Sequence, residues 1–184
     1  MQQRSSNEGK VQEENATDSK DVCAAVGYVP GGFDMFHIGH LNILRKARER
    51  CEHLVVGVAT DESLVRMKGR PPVVPLAERI EIISSLRFVD EVVTDIDLNK
   101  QIAWRRRPFD VLFKGDDWKG TDKGHRLEEE LAAVGARVEY LPYTPTTSST
   151  LLRQFLTREV SEENKAGIAH GNNISSSHGL RKNI

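Results

Sequence analysis

The sequence predicts an α/β fold in which helices cover both faces of a doubly wound parallel sheet of five strands. Short apolar runs rich in β-branched residues alternate with segments whose apolar residues recur every three or four positions. The run at 54–59 is apolar on both faces, as a central strand of a parallel sheet requires. Strands that alternate with helices form right-handed βαβ units, so we expect a single Rossmann-like domain over residues 22–157.

The first expected strand and helix are marked by a change in periodicity. Residues 22–29 form an apolar run that stops at a Pro-Gly-Gly turn. Apolar residues then return at a spacing of three, at Leu41, Leu44 and Ala47, which predicts a helix that begins near residues 37–39. A second strand is expected at 54–59.

A helix should then open at Pro75, because proline is favoured in the first turn. Its apolar face consists of Leu76, Ile80, Ile83 and Leu86. Arg79 and Arg87 are expected on this same helix, about 80° apart around its axis. The next strand is expected at 89–94.

The remaining elements follow the same alternation. Strands are expected at 111–113 and 138–141, with a helix at 126–134 that Gly135 ends. The basic run 104–108 reads as the end of another helix, where cations suit the dipole. A last helix should begin at Ser148 or Ser149, since either residue is a good N-cap.

The two ends of the chain are polar and lack a periodic apolar face. We therefore expect disorder in residues 1–21 and in the tail 158–184. The N-terminus has no apolar core of a signal peptide, and no stretch is long enough to span a membrane, so the cytoplasm is the expected location. Neither a nucleic acid nor a membrane is an expected partner, because 26 Lys and Arg balance 27 Asp and Glu. Two cysteines, Cys23 and Cys51, form neither a disulfide pattern nor a zinc-type pair.

The loop after the first strand, residues 30–40, carries the expected chemistry. Ligands of doubly wound sheets bind where the strand order reverses, at the carboxyl ends of the strands. The loop contains Gly31 and Gly32, which allow backbone to approach a ligand, and it enters a helix N-terminus that favours anions. His37 and His40 are three residues apart, so both imidazoles should lie on one side of the first turn and donate to phosphate oxygens. An alternative is half of a zinc site, for which His53 or His125 would have to supply the third ligand.

These residues resemble a known signature. Gly31-Gly32-Phe33-Asp34 followed by His37-Ile38-Gly39-His40 is similar to the GTFDxxHxGH motif of the cytidylyltransferase-like nucleotidyltransferases. Further family segments follow in the same order: Thr60-Asp61-Glu62, Lys68-Gly69, Glu78-Arg79, Leu86-Arg87, Val89-Asp90-Glu91-Val92 and Gly115-Asp116-Asp117-Trp118. The last segment resembles the glycerol-3-phosphate cytidylyltransferases.

The resemblance implies roles for individual residues and a homodimer. The catalytic group, which stabilises the transferring phosphate, is His37, His40, Lys68 and Arg79. The nucleotide site is Gly31, Gly32, Phe33, Gly39, Gly115, Asp116, Asp117, Trp118, Thr144, Ser148, Ser149 and Thr150. Asp34 and Arg87 are implied at the acceptor site, and Asp34 also as a ligand of a divalent metal. Mg²⁺ is the expected cofactor, bound with the nucleoside triphosphate, and a small phosphorylated molecule is the second substrate.

Two departures from the family pattern leave the substrates open. Tyr143 stands where the RTxxIST segment has arginine, and residues 119–126 look like an insertion that is similar to the sugar-phosphate adenylyltransferases. Three hypotheses follow: a cytidylyltransferase that acts on glycerol-3-phosphate or on another polyol or amino-alcohol phosphate, an adenylyltransferase that acts on a sugar phosphate, and a nucleotide sensor without turnover. Intact histidines together with Lys68 favour an enzyme, because a sensor has no need of groups that stabilise a transition state.

Overall fold

A computed structural model of the protein describes residues 23–142, 144 and 147–158. It contains five parallel strands, as the sequence predicts, and their order in the sheet is β3-β2-β1-β4-β5. The strands are β1 Ala24–Gly31, β2 Cys51–Ala59, β3 Glu91–Asp95, β4 Val111–Gly115 and β5 Arg137–Leu141. The helices are α1 Ile38–Arg48, α2 Asp61–Lys68, α3 Leu76–Ser84, α4 Lys100–Arg106, α5 Asp122–Ala132 and α6 149–158.

The strand order reverses beside the central strand β1. The chain runs outward from β1 to β2 and β3, then returns to place β4 on the other side of β1, where Tyr28 is paired with both Val55 and Leu112. The carboxyl ends of β1 and β4 therefore flank the switch point at which such sheets bind ligands. The doubly wound fold is confirmed.

Each face of the sheet has its own apolar core. On one face, α1 and α3 pack Leu44, Ala47 and Ile83 against the strands. On the other face, α5 packs Leu127 and Leu131 against a second cluster that includes α4 residues. From Tyr28 in β1 and Leu54 in β2 onward, strand residues alternate between the two clusters, so a side chain near the carboxyl end of a strand can be assigned to one face.

Several boundaries differ from those expected. The helix α2 was not predicted; Thr60 caps it by accepting a hydrogen bond from the Ser63 amide, and Lys68 is its last residue rather than part of a loop. Helix α5 begins at Asp122, inside the stretch expected to be an insertion, because Thr121 caps it. Arg158 still belongs to α6, and the disorder predicted for residues 1–21 and 159–184 falls outside the described residues.

Helix α3 is shorter than expected, so the prediction that Arg79 and Arg87 share a helix is wrong. The helix ends at Ser84, and the Leu86 amide donates to the Ile83 carbonyl in a tight closing turn. Ser85 competes for the backbone by donating its hydroxyl to the Glu81 carbonyl at 2.9 Å, a local bond that accompanies helix ends.

Among the described helices, none has the length and hydropathy needed to cross a bilayer.

Candidate active site

The loop that follows β1, residues 32–37, holds two residues in the left-handed region. Phe33 has a φ of 51° and Met35 a φ of 49°, which is uncommon for residues other than glycine and costs about 1 kcal/mol or more each. The glycines before them make room for this shape. A Cβ on Gly31 would lie 2.8 Å from the Phe33 ring, and one on Gly32 would lie 3.0 Å from Leu64. In this structure the two glycines therefore allow the loop to pack on itself.

His37 and His40 lie together at the N-terminus of α1. Their ring centroids are 3.9 Å apart and the rings are stacked with an interplanar angle of 28°. The Nδ1 atom of His37 caps the helix by accepting from the Gly39 amide at 3.0 Å, so its proton lies on Nε2 in the neutral ring. A Cβ on Gly39 would approach His37 Cε1 to 2.8 Å, which explains the glycine in the HxGH segment.

The two histidines are neutral at physiological pH. Burial lowers the pKa of His37. Burial is also the largest cause of the shift in His40, followed by the charges of His37 and Lys68, and together they lower the pKa of His40 to about 3 although Asp34 opposes them. Of the described residues, only His40 has a buried side-chain polar atom without a hydrogen-bond partner, its Nδ1. The pair therefore offers neutral N–H donors at a helix N-terminus, which suits phosphate oxygens.

Asp34 organises the loops around the histidines. One carboxylate oxygen accepts from the amides of Val73 and Val74, each at 2.9 Å, and the other accepts from Arg153 at 2.7 Å. Burial by itself would raise the pKa of Asp34, but these bonds outweigh it and hold the pKa below its ordinary value. Three donors thus contact the two carboxylate oxygens, and the metal and acceptor roles expected for Asp34 stay predictions.

Arg79 also differs from expectation, because its side chain is fully buried. Its guanidinium donates to three backbone carbonyls and to the carboxylate of Asp61: the carbonyls are those of Gly32, Ala59 and Val74. These acceptors belong to the ends of β1 and β2 and to the segment before α3. In this arrangement Arg79 fixes the loops that surround the site, and the phosphate contact expected for it stays a prediction.

Lys68 is exposed and faces a small cavity of about 60 Å³ beside Asp34. The cavity is also lined by Arg70 and Arg153 and by two residues at the start of α6, Ser149 and Thr150. Cations and a helix N-terminus together form a binding environment for phosphate. Sequence reasoning missed Arg70 and Arg153, since arginine in a loop or on a polar helix face gives no signal without the tertiary contacts.

The segment after β4 forms a single 3-10 turn, Asp116–Trp118, that follows the buried Gly115. Asp116 and Asp117 are exposed at its surface. The ammonium of Lys114 lies 4.2 Å from the centroid of the Trp118 ring, a cation–π distance. Lys114 was not among the expected site residues, because a lysine near the end of a strand looks like an ordinary edge residue.

The hydroxyl residues after β5 reach the same edge of the sheet. Thr144 accepts from the Asn42 amide group of α1 at 3.2 Å. The Ser148 hydroxyl accepts from the Leu151 amide and so caps α6, as expected. Ser149 donates to the Asp34 carbonyl at 2.7 Å. Tyr143, which replaces the family arginine, lies outside the described residues.

Arg87 is the expected site residue that the fold separates from the others. It is exposed in the turn between α3 and β3. This turn precedes a strand, so it lies at the amino edge of the parallel sheet, whereas the histidine loop follows a strand and lies at the carboxyl edge. Within one chain the fold therefore separates Arg87 from the histidine loop, and the acceptor role expected for it stays a prediction. The zinc alternative also finds no support, because no group of three or more potential ligands occurs within the described residues.

Comparison with known proteins identifies the family of the chain. The profile of the cytidylyltransferase-like family matches residues 28–155. An ethanolamine-phosphate cytidylyltransferase from Arabidopsis thaliana is 42% identical over 132 residues, which are 67% of this chain and 30% of that protein. An FAD synthase from Pyrococcus abyssi (strain GE5 / Orsay) is 36% identical over 119 residues, which are 62% of this chain and 78% of the relative.

A third relative is the bifunctional protein HldE from Acidiphilium cryptum (strain JF-5). It is 41% identical over 134 residues, which cover 67% of this chain and 26% of HldE. The chain thus spans about a third or less of two of these relatives and most of the FAD synthase. Among solved structures, the lipopolysaccharide core biosynthesis protein from Thermoplasma volcanium GSS1 has the same fold, with a TM-score of 0.56 and 24% identity over 66% of this chain and 97% of that one.

Proposed function

The chain belongs to the cytidylyltransferase-like family of nucleotidyltransferases, and we propose that it couples CTP to a small phosphorylated alcohol, similar to glycerol-3-phosphate, with release of pyrophosphate. The observation that carries this proposal is the stacked, neutral pair of His37 and His40 at the N-terminus of α1, next to the switch point of the sheet. It combines fixed N–H donors with the positive end of a helix.

The proposed reaction is a direct displacement. A phosphate oxygen of the acceptor attacks the α-phosphorus of the nucleotide, a new O–P bond forms, and the bond from the α-phosphorus to the bridging oxygen of pyrophosphate breaks. The acceptor phosphate is already ionised, so the protein need not remove a proton. Catalysis then rests on position and on stabilisation of charge, which the two histidines and Lys68 supply.

The proposed cofactor Mg²⁺ would neutralise part of the triphosphate charge. Because three donors already contact Asp34 and no group of three or more potential metal ligands occurs among the described residues, the triphosphate and water would provide most of the Mg²⁺ ligands. The proposal includes the homodimer and the cytoplasmic location that the sequence leads us to expect.

An adenylyltransferase that uses ATP and a sugar phosphate is the second candidate. It is favoured by the turn at 119–121 that leads into α5 and by the similarity to HldE and to FAD synthases.

A sensor that binds a nucleotide without turnover is the third candidate. It differs from both enzymes because it would release no pyrophosphate.

Pyrophosphate release separates these candidates. The full chain is assayed with Mg²⁺ and either CTP or ATP, in parallel with glycerol-3-phosphate and with a sugar phosphate. Release that requires CTP and glycerol-3-phosphate supports the first candidate, and release that requires ATP and the sugar phosphate supports the second. Absence of release with every pair, despite nucleotide binding in a thermal-shift assay, would contradict both enzymatic proposals.

The role of the histidine pair is tested by His37→Ala. We expect turnover to fall by roughly 10² to 10³, the usual effect of removing one donor to a developing charge, while nucleotide affinity is largely retained. His53→Ala is the matched control, because His53 pairs with Glu91 at 3.4 Å, away from the loop after β1. Full activity of His37→Ala would contradict the assigned role.

A further inference from the structure

Lys114 lies on the side of the switch point that is opposite to the histidine pair. Along β4, Val111 and Phe113 belong to the cluster under α1 and α3, whereas Leu112 belongs to the cluster under α5. Side chains alternate along a strand, so Lys114 shares the face of Leu112. Trp118, on whose ring the ammonium lies, packs against the same cluster.

The crevice at the switch point therefore has two halves. One half contains His37 and His40 at the N-terminus of α1. The buried residues of α1 pack on the face of the sheet that α1 and α3 cover. The other half, which we call the α5-side half, contains Lys114 and Trp118. The resemblance assigns Trp118 to the nucleotide site. The proposed function places the triphosphate in the half that contains the histidines, and we take the α5-side half as the side from which the acceptor approaches the α-phosphorus.

The α5-side half carries a positive charge that the protein does not neutralise by an ion pair. No described carboxylate forms a salt bridge with Lys114. Asp95, one of the acidic groups close enough to act on it, is already paired with Lys100 at 2.6 Å. Asp117 is exposed in the 3-10 turn and acts on Lys114 only at longer range.

The Lys114 side chain is half-buried, so its ammonium is only partly solvated. Burial is the main reason that the pKa of Lys114 falls to about 8, and the charges of Lys100 and Lys68 lower it further. Asp117 and Asp95 oppose the shift. Lys114 is thus still mostly protonated at neutral pH. Its charge repels a second positive charge placed beside it and attracts a negative or polar group.

From this geometry we infer that Lys114 determines acceptor specificity: the organic end of the acceptor bears hydroxyl groups or a negative charge, and an acceptor with an ammonium group is rejected. The inference rests on the proposed function and narrows its substrate class. It separates this chain in specificity from the ethanolamine-phosphate cytidylyltransferase to which it is similar. Lys114 acts by attraction and repulsion at the far end of the acceptor, away from the bonds that change.

The test compares two acceptors that share a phosphate but differ in the charge at the other end. Glycerol-3-phosphate and ethanolamine phosphate are assayed for kcat/KM with the full chain and the nucleotide that supports turnover. The wild type should prefer glycerol-3-phosphate. Lys114→Met, which removes the charge and keeps the length, should shift the ratio of the two kcat/KM values toward ethanolamine phosphate by at least about tenfold, with the nucleotide KM unchanged.

Two further variants control for the fold and for general charge. Lys114→Arg keeps the positive charge and should keep the wild-type preference. Lys123→Met removes an exposed lysine of α5 and should leave the ratio unchanged. An unchanged ratio in Lys114→Met, or a wild-type preference for ethanolamine phosphate, would overturn the inference while leaving nucleotidyl transfer in place.

Calorimetry distinguishes this failure from failure of the proposed function. Each phosphate is titrated into the protein in the presence of a non-hydrolysable nucleotide, so that no turnover is needed. Tighter binding of glycerol-3-phosphate that Lys114→Met abolishes supports the inference even if pyrophosphate release is absent. Equal affinity for the two phosphates, or binding of neither, overturns it.

Discussion

Replacing the buried arginine, Arg79→Met, tests whether this residue fixes loops or binds phosphate. The substitution leaves three backbone carbonyls without this donor: that of Ala59, whose bond is buried, and those of Gly32 and Val74, whose bonds are partly buried. Each buried acceptor that loses its partner costs about 1–3 kcal/mol. Asp61 is 40% exposed, so it regains water and adds little.

We expect the free energy of unfolding to fall by about 4 kcal/mol, because local relaxation recovers part of the summed cost. That is a large share of the roughly 5–15 kcal/mol that stabilises an ordinary domain, and it corresponds to a fall in Tm of roughly 10 °C. Urea unfolding followed by the fluorescence of Trp104 and Trp118 measures the change. Arg126→Met, which removes an exposed arginine of α5, is the matched control and should change stability by less than about 0.5 kcal/mol.

The two roles of Arg79 predict different combinations of stability and activity. If the arginine fixes the loops, the variant loses stability, and the activity of the fraction that remains folded at low temperature is reduced by disorder in the loop after β1. If it instead binds phosphate, stability stays within about 1 kcal/mol of the wild type while turnover collapses. The second result would refute the reasoning from burial and hydrogen bonds.

Two further substitutions probe the loops around the histidines. Asp34→Asn should lower the free energy of unfolding by about 2 kcal/mol at pH 7, since charge-assisted bonds from Arg153 and two amides are weakened or lost. Because folding lowers the pKa of Asp34, the wild type has this extra stability above the ordinary pKa of 3.8 and loses it as the pH falls through the pKa of the folded protein. The free energies of unfolding of the two proteins, measured by urea titration, should therefore converge in acid, and a difference that widens there would contradict the assignment. Gly39→Ala should reduce turnover at least about tenfold, because the new Cβ displaces the His37 ring from its capping position. It should cost less than about 1 kcal/mol of stability, because alanine is otherwise a good helix residue. An unchanged kcat would show that this position of the His37 ring is not required.

The order of strands and helices could be read from the sequence because it depends on local periodicity. The apolar run 54–59 and the spacing of Leu41, Leu44 and Ala47 each specify an element within a few residues, and the alternation of such elements restricts the topology to a doubly wound sheet. Helix α2 was missed, because Asp61–Lys68 is mostly polar and has only a narrow apolar face, and the signal that could have revealed it was the Thr60 cap.

The histidine loop could also be located from the sequence, because glycines, two histidines and a helix start are adjacent in the chain. The roles of charged residues could not be predicted in this way. An arginine three residues into a helix looks the same whether its side chain turns toward solvent or toward buried carbonyls, and only the packing of β1, β2 and the segment before α3 around Arg79 decides it. Likewise, Lys114 becomes a candidate specificity residue only when the sheet places it across the crevice from His37 and His40, because the electrostatic environment of a side chain depends on neighbours that are distant along the chain.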